Sequence, residues 1–195
     1  MAVSLATILR RFALALTSLF VVGGLLFALG HAFEDPGGWT AGIIAAAVVV
    51  PLVGLIVLAA RSAPLALKVL TAAVVGFAVW GLVTLFVDVD APTVPVISLV
   101  LALPIAVLGQ RYATRAGELL IAVVAVPLLL LVVRLFTERG AEGPALQDAL
   151  GTSTGVVVVP LVALALLFLA AGVAGGHGPA PEQAPVQPQT PATRT

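Results

Sequence analysis

Six apolar runs, separated by short polar connections, make up most of the chain. The clearest of them, residues 119–136, has 18 residues and a single charge. At about 1.5 Å per residue, a helix of that length measures roughly 27 Å, close to the thickness of a bilayer's hydrocarbon core. The pattern predicts six membrane-spanning helices, at about 12–30, 41–60, 65–87, 94–109, 118–136 and 155–174. The predicted fold class is therefore all-α, a polytopic integral membrane helical bundle.

Two of the predicted spans admit other interpretations. The first follows Arg10 and Arg11, a pattern that a cleaved signal peptide shares. Its apolar run of 19 residues exceeds the about 7–15 residues of a signal-peptide core, which favours a retained span. The fourth predicted span has only 16 residues. A lipid-facing helix that short would require a locally thinned bilayer or extension by its neighbours.

The basic residues are distributed unevenly between the two ends of these spans, and this distribution predicts an orientation. One end carries seven of the nine basic residues, namely Arg10, Arg11, Arg61, Lys68, Arg111, Arg115 and Arg194. The opposite end carries Arg134 and Arg139, together with seven of the nine acidic residues. By the positive-inside rule the first end faces the cytoplasm. We therefore expect both termini to be cytoplasmic, with the chain in the cytoplasmic (inner) membrane.

Composition agrees with lipid as the solvent and excludes several classes of function. Hydrophobic residues make up 61% of the chain and charged residues 9%, with a mean hydropathy of +1.21. The net charge is zero and the basic residues are scattered, so we expect no nucleic acid among the partners. Cysteine is absent from the sequence, which excludes disulfides and thiolate chemistry. Arginine outnumbers lysine eight to one, a bias typical of a GC-rich bacterial genome.

The longest connection and the carboxyl terminus have predictions of their own. Within residues 137–154, the segment 144–150 places Leu146 and Leu150 on one face and predicts a short amphipathic helix on the membrane surface. Residues 177–195 contain five prolines and no apolar periodicity. That composition predicts a disordered, proline-rich cytoplasmic tail after a transmembrane domain of residues 1–176.

Four charged residues are the candidate functional or structural groups. Arg134 lies inside the fifth predicted span, where an ionised side chain is costly unless it reaches the interface or pairs with an acid. Arg111 and Arg115 precede the same span and Glu118 opens it, at intervals of four and three residues. If that segment is helical, they share one face. They form either an interfacial ion pair or a docking patch for a cytoplasmic partner or an anionic lipid.

Prolines and small residues shape the predicted packing. Pro51, Pro104, Pro127 and Pro160 each lie inside a predicted span, where each removes one backbone hydrogen bond and is a candidate helix kink. The hexapeptide VVVPLV occurs at 48–53 and at 157–162; we interpret this recurrence as coincidence in a restricted alphabet rather than as an internal repeat. Pairs of small residues four apart favour close helix contacts, at Gly24 and Ala28, Gly42 and Ala46, and Gly172 and Gly176.

No motif in the sequence carries a recognisable reaction. No predicted span contains a carboxylate or a histidine near its middle, which disfavours ion-coupled transport. His31, Glu34 and Asp35 share one turn, but they are a weak metal-binding signal, and we expect no catalytic residue, cofactor or metal. We expect a non-catalytic membrane component that packs against a membrane-protein partner or a second copy. The alternative is a passive permease or channel for a small neutral solute, with cavities formed at the four prolines.

Overall fold

The computed structural model describes residues 4–34, 37–84, 93–137 and 153–176. Within these residues the chain forms six α-helices and no strand. They are α1 (Leu5–Glu34), α2 (Gly38–Arg61), α3 (Ala63–Val83), α4 (Thr93–Gly109), α5 (Ala113–Thr137) and α6 (Ser153–Gly176). Five of the six are long and apolar enough to cross a membrane, and α4 is the shorter exception. The predicted fold class, a helical membrane bundle, is confirmed.

Most of the helices extend beyond the apolar runs from which they were predicted, whereas α3 ends at Val83, before its predicted end at residue 87. The largest difference is in α1, which begins at Leu5 rather than near residue 12 and has 30 residues. A helix of that length measures about 45 Å and can span the headgroup regions as well as the hydrocarbon core. The reason is that helical hydrogen bonding continues through polar residues such as Arg10 and Arg11, whereas a hydropathy pattern ends at the first charge.

Two of the connections are very short. A single residue, Ser62, separates α2 from α3, and residues 110–112 separate α4 from α5. At the start of α2 the chain passes through Gly37 and Gly38, with φ of 66° and 57°. Glycine suits both positions because its lack of a Cβ removes the steric cost of positive φ. The predicted surface helix at 144–150 and the tail at 177–195 lie outside the described residues.

The six helices form a ring of five around a central one. In the order α1, α2, α3, α5, α6 and back to α1, each helix contacts the next, and α4 contacts all five. The contacts between α5 and α6 are the most extensive, and those between α1 and α2 are the least extensive around the ring. The shortest helix therefore forms the core of the bundle.

Burial of α4 extends around its whole circumference. Six consecutive residues, 101–106, are buried, and because a helical turn takes about 3.6 residues, they cover every face. Ile105 and Leu108 have no exposed surface at all. The length of α4 is consistent with this position, since a helix enclosed by other helices is not required to match the thickness of the lipid. The thinning cost expected for a short lipid-facing helix applies only where lipid touches the helix.

In contrast, α2 lies at the periphery. Only 6% of its most apolar 18-residue segment is buried inside the bundle, compared with 22% to 44% of the corresponding segments in the other four long helices. Ala41 and Ala59 are its buried residues, and Val50 is 69% exposed. Contact with lipid solvates this apolar surface as well as contact with protein would, because acyl chains are as apolar as the side chains they touch.

Glycines mark the closest approaches between helices. A Cβ added at Gly24 would lie 2.8 Å from Leu99 Cδ1, and one added at Gly117 would lie 2.7 Å from Leu169 Cγ. A Cβ at Gly172 would lie 3.0 Å from the backbone nitrogen of Thr114. These contacts join α1 to α4 and α5 to α6. Of the predicted small-residue pairs, those beginning at Gly24 and Gly172 lie at helix contacts, whereas Gly42 faces open space.

Candidate functional site: the basic end of the bundle

Two hydrogen bonds join the connection between α4 and α5 to α1 and α2 at the end of the bundle where five helix termini carry basic residues. We call this surface the basic end and define it by six residues: Arg10, Arg11, Arg61, Lys68, Arg111 and Arg115. The side-chain nitrogen Nε2 of Gln110 donates to the carbonyl oxygen of Arg10 at 2.8 Å, which places the end of α4 beside the start of α1. Arg111 Nη2 donates to the carbonyl oxygen of Ala60 at 3.2 Å, which places the same connection beside the end of α2.

The connection between α4 and α5 therefore links α1 to α2 at this end. Gln110 contacts one helix and Arg111, the next residue, contacts the other. The bond from Arg111 satisfies a carbonyl in the last turn of α2, a position where a cation also interacts favourably with the helix dipole. Arg61 lies in that same last turn. The guanidinium groups of Arg61 and Arg111 therefore both lie at the carboxyl end of α2.

Arg115 and Glu118 form an ion pair on the first turns of α5. Arg115 Nη1 lies 2.9 Å from Glu118 Oε2, and the two side chains are 66% and 50% exposed. Exposed pairs of this kind contribute about 0–1 kcal/mol. Arg111 does not share their helical face, because it lies in the connection before α5 and donates to Ala60 instead. The three charges predicted as one group are thus divided between two contacts.

Arg10 lies where α1, α4 and α6 meet. Its Nε atom is buried and has no hydrogen-bond partner among the described residues. A Cβ at Gly175 would lie 2.7 Å from Arg10 Nη2, so the absence of a side chain at Gly175 leaves room for the guanidinium at the end of α6. Sequence patterns did not single out Gln110 or Arg10 as contacts, because no spacing rule links residues 100 positions apart.

The four intramembrane prolines occupy different environments. Each lies inside a helix that continues past it. Pro104 and Pro127 are almost fully buried, Pro160 is half-buried, and Pro51 is exposed on the outer surface of α2. Only Pro104, Pro127 and part of Pro160 therefore face the interior of the bundle.

The remaining candidate residues lie away from the basic end. Arg134 belongs to α5 near its carboxyl terminus, but its side chain is outside the described residues. Glu34 ends α1 at the opposite end of the bundle, and neither Asp35 nor the side chain of His31 is described. Within the described ranges, no three potential metal ligands lie close enough together to hold an ion.

Two buried hydroxyl groups form their hydrogen bonds within their own helices. Thr17 and Ser98 are fully buried. Thr17 Oγ1 donates to the carbonyl oxygen of Ala13 at 2.7 Å, and Ser98 Oγ donates to that of Val94 at 2.8 Å. This i−4 bonding lets a hydroxyl enter an apolar interior without a partner from another helix.

Comparison of the chain with protein-family models, with curated proteins and with solved structures gave no match.

Proposed function

We propose that this chain is a non-catalytic component of the cytoplasmic membrane that packs against a membrane-protein partner or a second copy through α2. The observation that carries the proposal is a row of four exposed positions on that helix, Gly42, Ala46, Val50 and Gly54. They are four residues apart and so lie on one face. Three of the four are glycine or alanine, the residues that let transmembrane helices approach closely.

The position of α4 supports packing over permeation. A passive permease needs a path through the bundle, and here the axis is filled by a helix that is buried on all sides. Pro51, one of the four residues proposed to form cavities, is exposed at the periphery. A solute would therefore have to pass between α4 and the ring rather than along the axis.

Substitution of glycines tests the packing role. Gly54→Leu changes the exposed row on α2, and Gly76→Leu is the matched control on α3; a Cβ at either position meets nothing within 4 Å. Neither variant should disturb the fold of one chain. We expect the full-length protein, purified in mild detergent, to elute as a defined complex that Gly54→Leu dissociates and Gly76→Leu does not. A single free copy, or equal effects of the two variants, would contradict packing through α2.

A flux measurement separates packing from permeation. The purified chain is reconstituted into vesicles, and the entry of small neutral solutes is followed by light scattering. We expect entry at the rate of protein-free vesicles. Entry that rises in proportion to the amount of protein would favour the permease and would overturn the proposal.

The proposed orientation rests on the six cations of the basic end. Because the positive-inside rule places such residues in the cytoplasm, both termini would be cytoplasmic. The chain lacks cysteine, so a single introduced thiol reports one position. We expect an impermeant maleimide to label Trp39→Cys in intact cells and to label Tyr112→Cys only after permeabilisation. Labelling in the reverse order would contradict this orientation.

A further inference from the structure

The described part of the basic end has a strong excess of positive charge. Its six cations are accompanied by a single described acid, Glu118, which is held by Arg115 at 2.9 Å. Five cations then remain, on α1, α2, α3 and the connection between α4 and α5. Their described hydrogen-bond partners include a backbone carbonyl, that of Ala60, but no carboxylate. The surface therefore offers positive charge to an external anion.

The concentration of charge is greatest at the carboxyl end of α2. Arg61 lies in the last turn, and Arg111 reaches the neighbouring carbonyl of Ala60 at 3.2 Å. The carboxyl terminus of a helix carries about half a negative charge, so two guanidinium groups beside it leave a net positive charge of more than one unit. The carbonyl of Ala60 takes one of the five N–H groups that a guanidinium carries. Donors in the planar arrangement that phosphate prefers therefore remain at this point.

An apolar column lies directly beneath these arginines. Val57 and Val53 precede Arg61 by four and eight residues and so follow it along one face of α2. They are 42% and 51% exposed. A ligand with an anionic head and an apolar chain would contact both the charges and the column. A soluble anion or an acidic peptide would contact only the charges.

We propose that the carboxyl end of α2, with Arg61 and Arg111, binds the phosphate of an anionic phospholipid whose acyl chain lies along Val57 and Val53. Bilayer lipid is the ligand class that matches both halves of the surface, since clusters of basic residues beside membrane helices attract acidic headgroups. This inference requires neither the packing role of α2 nor a particular orientation of the chain. Val53 and Val57 lie on the same side of α2 as Val50 and Gly54, so an acyl chain bound there would compete with a partner packed on that row.

Titration with defined lipids tests the site. The full chain in non-ionic detergent is titrated with phosphatidylglycerol, and binding is read by native mass spectrometry. Phosphatidylcholine with the same acyl chains is the control. We expect clear preference for phosphatidylglycerol. Each basic residue near an anionic surface contributes an affinity factor of about five, so Arg111→Gln should weaken binding about fivefold and Arg61→Gln/Arg111→Gln roughly thirtyfold.

Two further variants distinguish a specific lipid-binding site from a general electrostatic attraction of the basic end. Arg115→Gln removes the same charge from the same end but from a pair that Glu118 already neutralises, and we expect a loss of less than about twofold. Arg61→Gln leaves the contact between Arg111 and Ala60 in place, so its expected fivefold loss cannot come from a disturbed connection. Thermal unfolding of each variant in the same detergent verifies that it is folded.

Three results would overturn the proposal. Equal affinity of the unmodified chain for the two lipids would exclude a preference for an anionic headgroup. Equal losses in Arg115→Gln and Arg111→Gln would show a general electrostatic effect instead of a site. Binding of a hexaglutamate peptide that is abolished in Arg61→Gln/Arg111→Gln, with phosphatidylglycerol binding unchanged, would assign the surface to an acidic peptide.

Discussion

Replacing Gly172 with alanine should destabilise the bundle, because α5 and α6 are in close contact there. A Cβ at this position would lie 3.0 Å from the backbone nitrogen and 3.1 Å from the Cα of Thr114. Backbone atoms cannot rotate away as a side chain can, so the two helices must separate by several tenths of an ångström. Overpacking of this kind typically costs about 1–3 kcal/mol.

A second glycine serves as a control for the helix preference that alanine adds at either position. Gly76 lies inside α3, and a Cβ there meets nothing within 4 Å. Both substitutions gain the same preference of alanine for the helix, about 0.5–1 kcal/mol. The difference between Gly172→Ala and Gly76→Ala therefore isolates the steric term. It should be about 1–3 kcal/mol, or roughly 5- to 150-fold in the ratio of folded to unfolded protein.

The assay is reversible unfolding by SDS from mild-detergent micelles, followed by tryptophan fluorescence. We expect Gly76→Ala to unfold at the same or a higher SDS fraction than the unmodified chain, and Gly172→Ala at a lower one. If the two variants had equal free energies of unfolding, the close approach of α5 and α6 at Thr114 would be refuted.

Three further predictions follow from burial and charge. Ile105→Ala removes a side chain with no exposed surface and should lower the free energy of unfolding by an amount near the lower end of about 2–5 kcal/mol, because lipid solvates the separated helices. Ile43→Ala, at a position that is 67% exposed, should change that free energy by less than about 0.5 kcal/mol in the same SDS titration. A double-mutant cycle on Arg115 and Glu118 should give a coupling below about 1 kcal/mol that falls with added salt; a larger or salt-independent value would contradict a solvated pair. Arg134→Leu should lower expression or thermal stability if this charge pairs at the interface, and unchanged expression, stability and growth would exclude a role for it.

The helices could be predicted from the sequence, but their places in the bundle could not. Runs of apolar residues identify membrane helices because each backbone polar group must be bonded within its own segment. The same reasoning does not separate α4 from α2, since both are apolar on all sides. In water, a helix of that kind would be buried. In a bilayer, lipid and protein interior are equally apolar, so hydropathy does not distinguish the central helix from the peripheral one.

The candidate site could be predicted only where its contacts are local. Arg115 and Glu118 are three residues apart on one helix, and helical spacing predicts that such a pair can meet. The bond from Gln110 to Arg10 and the bond from Arg111 to Ala60 join residues that are 100 and 51 positions apart. Those contacts depend on which helices are neighbours around α4. A periodic pattern does not contain that information.

The central claim is that α4 is enclosed by the other five helices, and labelling from within the lipid tests it most directly. An apolar diazirine dissolved in the bilayer of reconstituted vesicles is activated by light, and mass spectrometry locates the modified residues of the unmodified chain. We expect strong labelling of residues 42–57 on α2 and almost none of residues 99–108 on α4. Labelling of α4 as strong as that of α2 would place α4 in contact with lipid and would contradict this account.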